Sequence, residues 1–111
     1  GLKAEYINMK RAFKMQLKPN CVELYKQRHD EIWPELVLLL KGYGICDYHI
    51  YLASDQLTLF ATCEVPDNFD EEKLASEPVM RKWWDFMADI MLVKNDNEPL
   101  SEPLISLFSL R

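Results

Sequence analysis

The sequence has little of several features that define common classes of protein. It contains only three glycines, three cysteines and two histidines among 111 residues. Basic side chains are also few, because 13 Lys and Arg stand against 18 Asp and Glu, which gives a net charge of −5. An acidic surface cannot neutralise a phosphate backbone, so a nucleic-acid partner is not expected. The longest apolar run, residues 36–40, is far shorter than the roughly 20 residues needed to cross a bilayer, so no membrane span is expected.

The cysteines and histidines are too few and too scattered to form a familiar metal site. Cys21, Cys46 and Cys63 include no C-x-x-C pair, and neither His29 nor His49 belongs to an H-E-x-x-H motif. An odd number of isolated cysteines is typical of reduced thiols in a reducing compartment. The N-terminus also lacks a basic segment followed by an apolar one. We therefore expect a cytoplasmic protein without a metal ion.

The composition is that of one ordinary globular domain, with 49% apolar and 28% charged residues. Met9 is a natural start, so residues 1–8 are interpreted as a leader or an expression-derived extension and residues 9–111 as a single domain. A domain of this size leaves much of its surface exposed, and its aromatic residues can gain stability by burial against a second subunit. We expect a homodimer.

The first half of the chain predicts a strand followed by an interrupted helix. Apolar and polar residues alternate over Lys10–Leu17, as a half-buried strand requires. Asn20, three residues before Glu23, predicts a capping box at the start of a helix. Pro34 should kink or break that helix, and Gly42 should end it.

The second half predicts a hairpin, a helix and a last strand. Residues 47–52 and 57–62 alternate on either side of a short turn, and the aromatic spacing predicts a helix over Glu77–Met91. Ser101–Leu110 is predicted as a final strand with imperfect alternation. The resulting order is that of an α+β, ferredoxin-like split βαβ fold. Its helices cover one face of the sheet, and pairing the other face with a second subunit would form a dimeric αβ barrel.

One histidine and four aromatic residues are the candidates for chemistry. Tyr25 and His29 lie four residues apart, so a helix places them on one face, and histidine suits proton transfer near neutral pH. A single helical histidine is nevertheless more often structural. Trp83 and Trp84 are adjacent and point about 100° apart on a helix, so one of them should line a cavity or an interface. With Tyr48 they could form a pocket that stacks on a sugar.

The second histidine is expected to lie elsewhere. His49 follows Tyr48 directly in the same predicted strand, and successive side chains of a strand point to opposite faces. It should therefore not share the Tyr48 pocket.

Four segments together resemble the L-rhamnose mutarotases: RAFKMQLKPN, YKQRHDEIWPEL, GICDYHIYL and RKWWDFM. The resemblance extends from about Met9 to the C-terminus, and the proline-interrupted helix with its histidine and aromatics is the most specific part. It implies a dimeric αβ barrel that uses no metal or nucleotide cofactor. It also implies that His29 is the proton donor and that Tyr25, Tyr48 and the pair Trp83–Trp84 contact the sugar.

The implied reaction needs two proton transfers. The ring oxygen of the pyranose gains a proton and the anomeric hydroxyl loses one, so His29 requires a second relay, for which Tyr25 or a bound water is the hypothesis. Two alternatives remain open: a haem-binding or cofactor-independent monooxygenase of the same barrel type, and a non-catalytic sugar-binding dimer. The residues do not decide the preference among 6-deoxy sugars.

Overall fold

The computed structural model describes residues 8–111, which form a four-stranded sheet with helices packed on one face. In chain order the elements are β1 (Asn8–Gln16), α1 (Val22–Asp30), α2 (Pro34–Gly42), β2 (Cys46–Leu52), β3 (Thr58–Pro66), α3 (Glu71–Ser76), α4 (Pro78–Met87) and β4 (Glu102–Pro103). The strand order is β2-β3-β1-β4, and every neighbouring pair is antiparallel. This is the split βαβ arrangement that the alternating patterns predicted.

The two faces of the sheet follow from the alternation along β1 and β3. We call the side packed against the helices the helix-side face; it includes Met15, Leu59, Ala61 and Val65, all buried. The opposite side, the outer face, carries Ala12, Lys14, His49, Phe60 and Thr62. Because side chains alternate with a period of two, a single register places these four buried residues on the same face, against the helices.

β1 begins earlier than the sequence predicted. Asn8 and Met9 pair with Pro66 and Val65, so the strand starts two residues before Lys10. The proposed leader therefore overlaps β1 at Asn8, and residues 1–7 lie outside the described part of the chain.

The predicted capping box at the start of α1 is wrong. Asn20 has a φ of 61° and lies in a turn, and the helix begins at Val22. Cys21 is the residue at the N-cap position, and no side chain bonds to the first turn there. Asparagine tolerates the left-handed region, so Asn20 serves the turn and not the helix.

Pro34 breaks the helix, as predicted. α1 ends at Asp30 and α2 begins at Pro34, with Trp33 in extended conformation (φ −63°, ψ 131°). A proline favours the first position of a helix and keeps the preceding residue extended. α2 ends at Gly42, also as predicted, and Gly44 follows with a φ of 84°. A Cβ at Gly44 would lie 2.8 Å from the Pro66 side chain, so both space and backbone require glycine there.

The helix predicted over Glu77–Met91 is shorter and is preceded by another. The acidic segment forms α3, whose first turn is capped by Asp70 accepting the Lys73 N–H at 3.0 Å. Pro78 restarts the chain as α4, which ends at Met87. Met91, which was predicted to lie in the last turn of this helix, instead forms an isolated antiparallel bridge with Leu17.

The final strand was predicted too long. Only Glu102–Pro103 pairs with β1, and the Leu104 N–H then donates to the Ala12 carbonyl at 2.8 Å. Residues 104–111, here called the C-terminal tail, have no regular structure. Its apolar side chains are 81–95% exposed at Ile105, Leu107, Phe108 and Leu110. Within the described residues, no helix is long and apolar enough to cross a membrane.

Candidate functional site

A cavity of about 800 Å³ lies between the helix-side face of the sheet and the helices. Its size falls within the range of small-molecule sites. All five predicted site residues line it, from three different elements: Tyr25, His29, Tyr48, Trp83 and Trp84. The structure therefore brings together residues that are far apart in sequence.

His29 lies in the last turn of α1 with a defined orientation. Its Nδ1 lies 3.0 Å from the backbone carbonyl oxygen of Tyr25. A carbonyl can only accept, so Nδ1 carries the proton and Nε2 is left as the nitrogen with a free lone pair. The imidazole also stacks on the Tyr25 ring, with centroids 4.2 Å apart. The i, i+4 spacing thus fixes both the tautomer and the plane of the ring.

Burial lowers the pKa of His29 below its ordinary value, although the Tyr25 carbonyl and Asp30 partly oppose that shift. The cationic form is disfavoured because water is excluded from most of the ring. At neutral pH the imidazole is therefore uncharged, with Nε2 able to accept a proton. Such a group suits general acid/base chemistry.

The two adjacent tryptophans have different surroundings. Trp83 is 6% exposed and meets the His29 ring edge to face, with centroids 5.4 Å apart. Trp84 is half-buried, and the Arg81 guanidinium lies 5.2 Å from its ring centroid. The sequence predicted that one of them would line a cavity or an interface, and in the structure both line the cavity. Together with Tyr25 they give the cavity flat walls on which the C–H face of a sugar can stack.

The two tyrosines provide hydroxyl groups in an apolar setting. Burial raises the pKa of Tyr25 well above its usual range, and desolvation raises that of Tyr48, although Tyr48 as a whole is 43% exposed. Tyr48 projects from β2 and meets Phe13 edge to face at 6.3 Å. Both phenols are therefore neutral over the physiological range and can donate or accept hydrogen bonds.

His49 lies on the other side of the sheet, as predicted. It donates to the Asp47 carboxylate at 2.8 Å and stacks on Tyr51 at 6.2 Å. Its hydrogen bond lowers the pKa of Asp47. His49 does not line the cavity, so the molecule has one histidine on each face.

Sequence reasoning missed several residues around the site. Trp33 and Phe86 pack against Trp83 with centroids at 5.1 and 5.8 Å. The loop segment that includes Glu98, Pro99 and Ser101 also lines the cavity. The proline-adjacent Trp33 was a usable signal, because it flanks the helix break next to His29. The loop carried no comparable signal in the sequence.

The thiols and carboxylates show no arrangement for a metal ion. Within residues 8–111, no group of three or more His, Cys, Asp or Glu side chains lies close enough to hold one. Cys21, Cys46 and Cys63 are all free thiols. Cys63 forms part of the cavity wall, and burial raises its pKa.

Comparison with known proteins gives consistent matches over nearly the whole chain. The sequence model of the L-rhamnose mutarotase family matches residues 10–110. The L-rhamnose mutarotase of Sinorhizobium fredii is 50% identical over 101 residues, which cover 91% of this chain and 97% of that protein. The L-rhamnose mutarotase of Rhizobium meliloti is 48% identical over 102 residues, covering 92% and 98%.

A solved structure is also similar. The crystal structure of an L-rhamnose mutarotase from Formosa agariphila has a TM-score of 0.85 and 44% sequence identity. The match covers 93% of this chain and 99% of that one. The sequence matches and the structural match therefore indicate the same family, and none of these relatives supports the haem or monooxygenase alternative.

Proposed function

This chain belongs to the L-rhamnose mutarotase family, and from that premise we propose how it interconverts the α and β pyranose anomers of L-rhamnose. The observation that carries the proposal is the His29 imidazole in the cavity wall, with Nδ1 bonded to the Tyr25 carbonyl at 3.0 Å and Nε2 left free. The enzyme is an isomerase, and its chemistry consists of proton transfers and one reversible C–O cleavage.

Ring opening begins at the neutral imidazole. Nε2 of His29 accepts the proton of the anomeric hydroxyl while the bond between the anomeric carbon and the ring oxygen breaks. The anomeric carbon becomes an aldehyde, and the ring oxygen takes a proton from a second donor. After rotation about the bond next to the aldehyde, the ring closes on the other face of the carbonyl. As it attacks, the former ring oxygen returns its proton to the second donor, and the imidazolium returns its proton to the new anomeric oxygen. The donor role implied by the resemblance therefore belongs to this closing half.

Tyr25 or a water molecule is the second relay in this proposal. A phenol with a raised pKa does not readily ionise, but it can give its proton to the ring oxygen while it receives another from a water molecule, and the transfer reverses on ring closure. The Tyr25 ring stacks directly on His29, which places the hydroxyl on the same side of the cavity. A single acid/base group typically supplies about 10²–10⁴-fold, so the aromatic walls must add orientation of the sugar.

The sugar is held by Tyr48, Trp83 and Trp84 in addition to Tyr25. All four line the same cavity as His29, and indoles and phenols combine a flat apolar surface with one polar group. That combination suits a 6-deoxy sugar, which has an apolar methyl group and several hydroxyls.

We further propose that the enzyme is a homodimer that uses the outer face of its sheet. The supporting observation is the C-terminal tail, whose Ile105, Leu107, Phe108 and Leu110 are almost fully exposed. Four such side chains present on the order of 600 Å² of apolar surface per copy, near the roughly 800 Å² per partner of a stable interface. A second copy of the chain would cover both tails and both outer faces at once.

Location and domain organisation complete the proposal. The three free thiols suit a reducing compartment, so we place the protein in the cytoplasm. We interpret residues 9–111 as one catalytic domain.

The proposal is tested by saturation-transfer NMR on equilibrated L-rhamnose, which measures magnetisation passing between the two anomeric protons. Wild-type protein should accelerate the exchange, and His29→Gln should lower that rate by about 100-fold or more, because one acid/base group is removed. Trp83→Phe should raise KM more than it lowers kcat. His49→Gln is the matched control and should retain the wild-type rate, since His49 lies on the outer face.

The outcomes separate the alternatives. A wild-type protein that binds L-rhamnose without speeding the exchange is the non-catalytic dimer. Exchange that survives in His29→Gln removes His29 from the mechanism while leaving the activity intact.

A further inference from the structure

One set of contacts outside the cavity joins the helix that carries His29 to the end of the helix that carries Trp83. Nη1 of Arg28 donates to Asp89 Oδ1 at 2.7 Å and to the Phe86 carbonyl oxygen at 2.8 Å. Nη2 donates to Asp89 Oδ2 at 3.2 Å. The guanidinium also lies over the Phe86 ring, 4.4 Å from its centroid. We call these contacts the Arg28 clamp.

Arg28 has the least exposed cationic side chain among the ion pairs of the described chain. The Arg28 side chain is 13% exposed, whereas the side chain of Arg11, which pairs with Glu71, is 39% exposed and makes a single hydrogen bond. The Phe86 carbonyl belongs to the last turn of α4, where carbonyls have no partner within the helix. A planar guanidinium that satisfies one such carbonyl, grips a carboxylate with two bonds and stacks on a ring holds the two helices in one geometry.

The clamp is connected to the catalytic cavity through touching aromatic rings. Phe86, beneath the guanidinium, packs against Trp33 at 5.6 Å and Trp83 at 5.8 Å. Trp83 then meets the His29 ring at 5.4 Å. A change in the position of Phe86 therefore moves the indole that faces the imidazole.

We propose that Arg28 is a positioning residue: it fixes the placement of His29 and Trp83 in the cavity wall against which the sugar lies, without touching the sugar itself. Arg28 does not line the cavity, so its effect passes through α1 and the end of α4. The proposal rests on the proposed function of His29. A misplacement of about 1 Å can slow a reaction by about 100-fold, so loosening the clamp should affect turnover before it affects affinity.

The test is Arg28→Lys, compared with Arg11→Lys. Lysine keeps the charge at position 28 but cannot form the two-bonded fork, the carbonyl bond and the stacking together. We expect kcat for anomer exchange to fall about 10-fold or more with a smaller change in KM. Arg11 also combines an ion pair with a ring contact, 5.3 Å from the Phe69 centroid, but it ties β1 to α3. Arg11→Lys should remain within about 2-fold of wild type.

A second measurement needs no sugar and does not depend on the reaction. The titration of the His29 ring protons, followed by NMR in the free protein, reports how well water is excluded from the imidazole. In Arg28→Lys the pKa of His29 should rise towards its ordinary value, because burial is the main cause of its depression. The variant leaves the charged or titratable groups of the cavity wall in place: Tyr25 and Lys26 on α1, Tyr48 on β2, Cys63 on β3, Glu71 on α3 and Glu98 on the loop. It also keeps Asp30, which acts on the ring from α1.

The results distinguish the clamp from the proposed function. If wild-type protein does not accelerate exchange, the proposed function fails, and the NMR titration still decides on the clamp. If Arg28→Lys lowers the melting temperature but leaves kcat and the His29 titration at wild-type values, Arg28 is merely structural and the proposal is overturned. Should Arg28→Lys not fold, Asp89→Asn removes the paired charge while Arg28 keeps its contacts with Phe86, and the same two readouts apply.

Discussion

The two faces of the sheet are made by the same strands and have opposite roles. On the helix-side face, Met15, Leu59 and Val65 are buried and form the floor of the cavity. On the outer face, Ala12 and Phe60 alternate with polar residues, and no helix of the described chain covers them. Within the described residues, helices complete one face and leave the other uncovered. The active site can thus be understood from one copy, whereas the outer face is where we propose that a second copy packs.

The two histidines, one on each face, differ in the same way. His29 is held by its own helix through the Tyr25 carbonyl and enclosed by Trp83. His49 is bound to Asp47 in an exposed setting. The same side chain is therefore half-buried and oriented at position 29 but in contact with solvent at position 49.

A matched pair of leucines gives the largest expected contrast between the helix-side face and the C-terminal tail. Leu17 is 1% exposed and Leu107 is 95% exposed. Leu17→Ala should cost about 2–5 kcal/mol of unfolding free energy, because it leaves a cavity in the core. Leu107→Ala should change the unfolding free energy of dilute, monomeric protein by no more than about 0.5 kcal/mol. Urea denaturation followed by tryptophan fluorescence measures both.

The Leu107→Ala variant also tests the proposed dimer. Repeated at high protein concentration, where the proposed dimer forms, Leu107→Ala should lose stability relative to wild type, because binding of a second copy stabilises the folded state. A Leu107→Ala effect that is equally small at every concentration would count against a role of the tail in association.

A charge on the tail should have the next largest effect, on association alone. Phe108 is 81% exposed in the single copy, so Phe108→Asp is compatible with the monomer fold. In the proposed dimer it buries a carboxylate in an apolar contact, and the dissociation constant should rise about 30-fold, equivalent to about 2 kcal/mol. Analytical ultracentrifugation over a dilution series measures it. Ser106→Asp adds the same charge to the tail without removing an apolar side chain and is the control. A wild-type protein that is monomeric throughout the series contradicts the proposal.

Sequence patterns predicted the helix-side face well because its features depend on residues that are close together in sequence. The period-two alternation of residues 10–17 determines which side chains of β1 are buried, and the four-residue spacing of Tyr25 and His29 places both on one face of α1. The break at Pro34 follows from the missing N–H of one residue. The same reasoning applied to Pro78 would have separated α3 from α4, since Glu77 before it is extended (φ −66°, ψ 132°).

The remaining features depend on contacts between distant parts of the chain. Arg28 and Asp89 are 61 residues apart, and no sequence pattern around either residue predicts that they are partners. The C-terminal tail has the composition of a strand, but after Pro103 it forms only one further bond to β1, through the Leu104 N–H. Whether an apolar segment becomes a strand depends on an available neighbour, which the sequence of one copy does not specify.

The smallest expected effect is a pH dependence of stability that arises on the helix-side face alone. The pKa of His29 is lower in the folded protein than in the unfolded chain, where it is near 6.5. The unfolded chain therefore binds a proton that the folded protein does not bind until the pH falls further. Stability is fully present above pH ~6.5, is lost as the pH falls, and levels off below the folded pKa.

This pH effect can be isolated by comparing wild type with His29→Gln. The carboxylates with lowered pKa, such as Asp89, Asp55 and Asp47, lose their stabilising effect only below pH ~4, outside this window. Between pH 7.5 and 5.5 the unfolding free energy of wild type should consequently fall more than that of His29→Gln, as measured by urea denaturation at each pH. Equal slopes for the two proteins would mean that the imidazole is hydrated in the folded state. That result would also remove the dehydrated, neutral His29 on which the proposed first proton transfer depends.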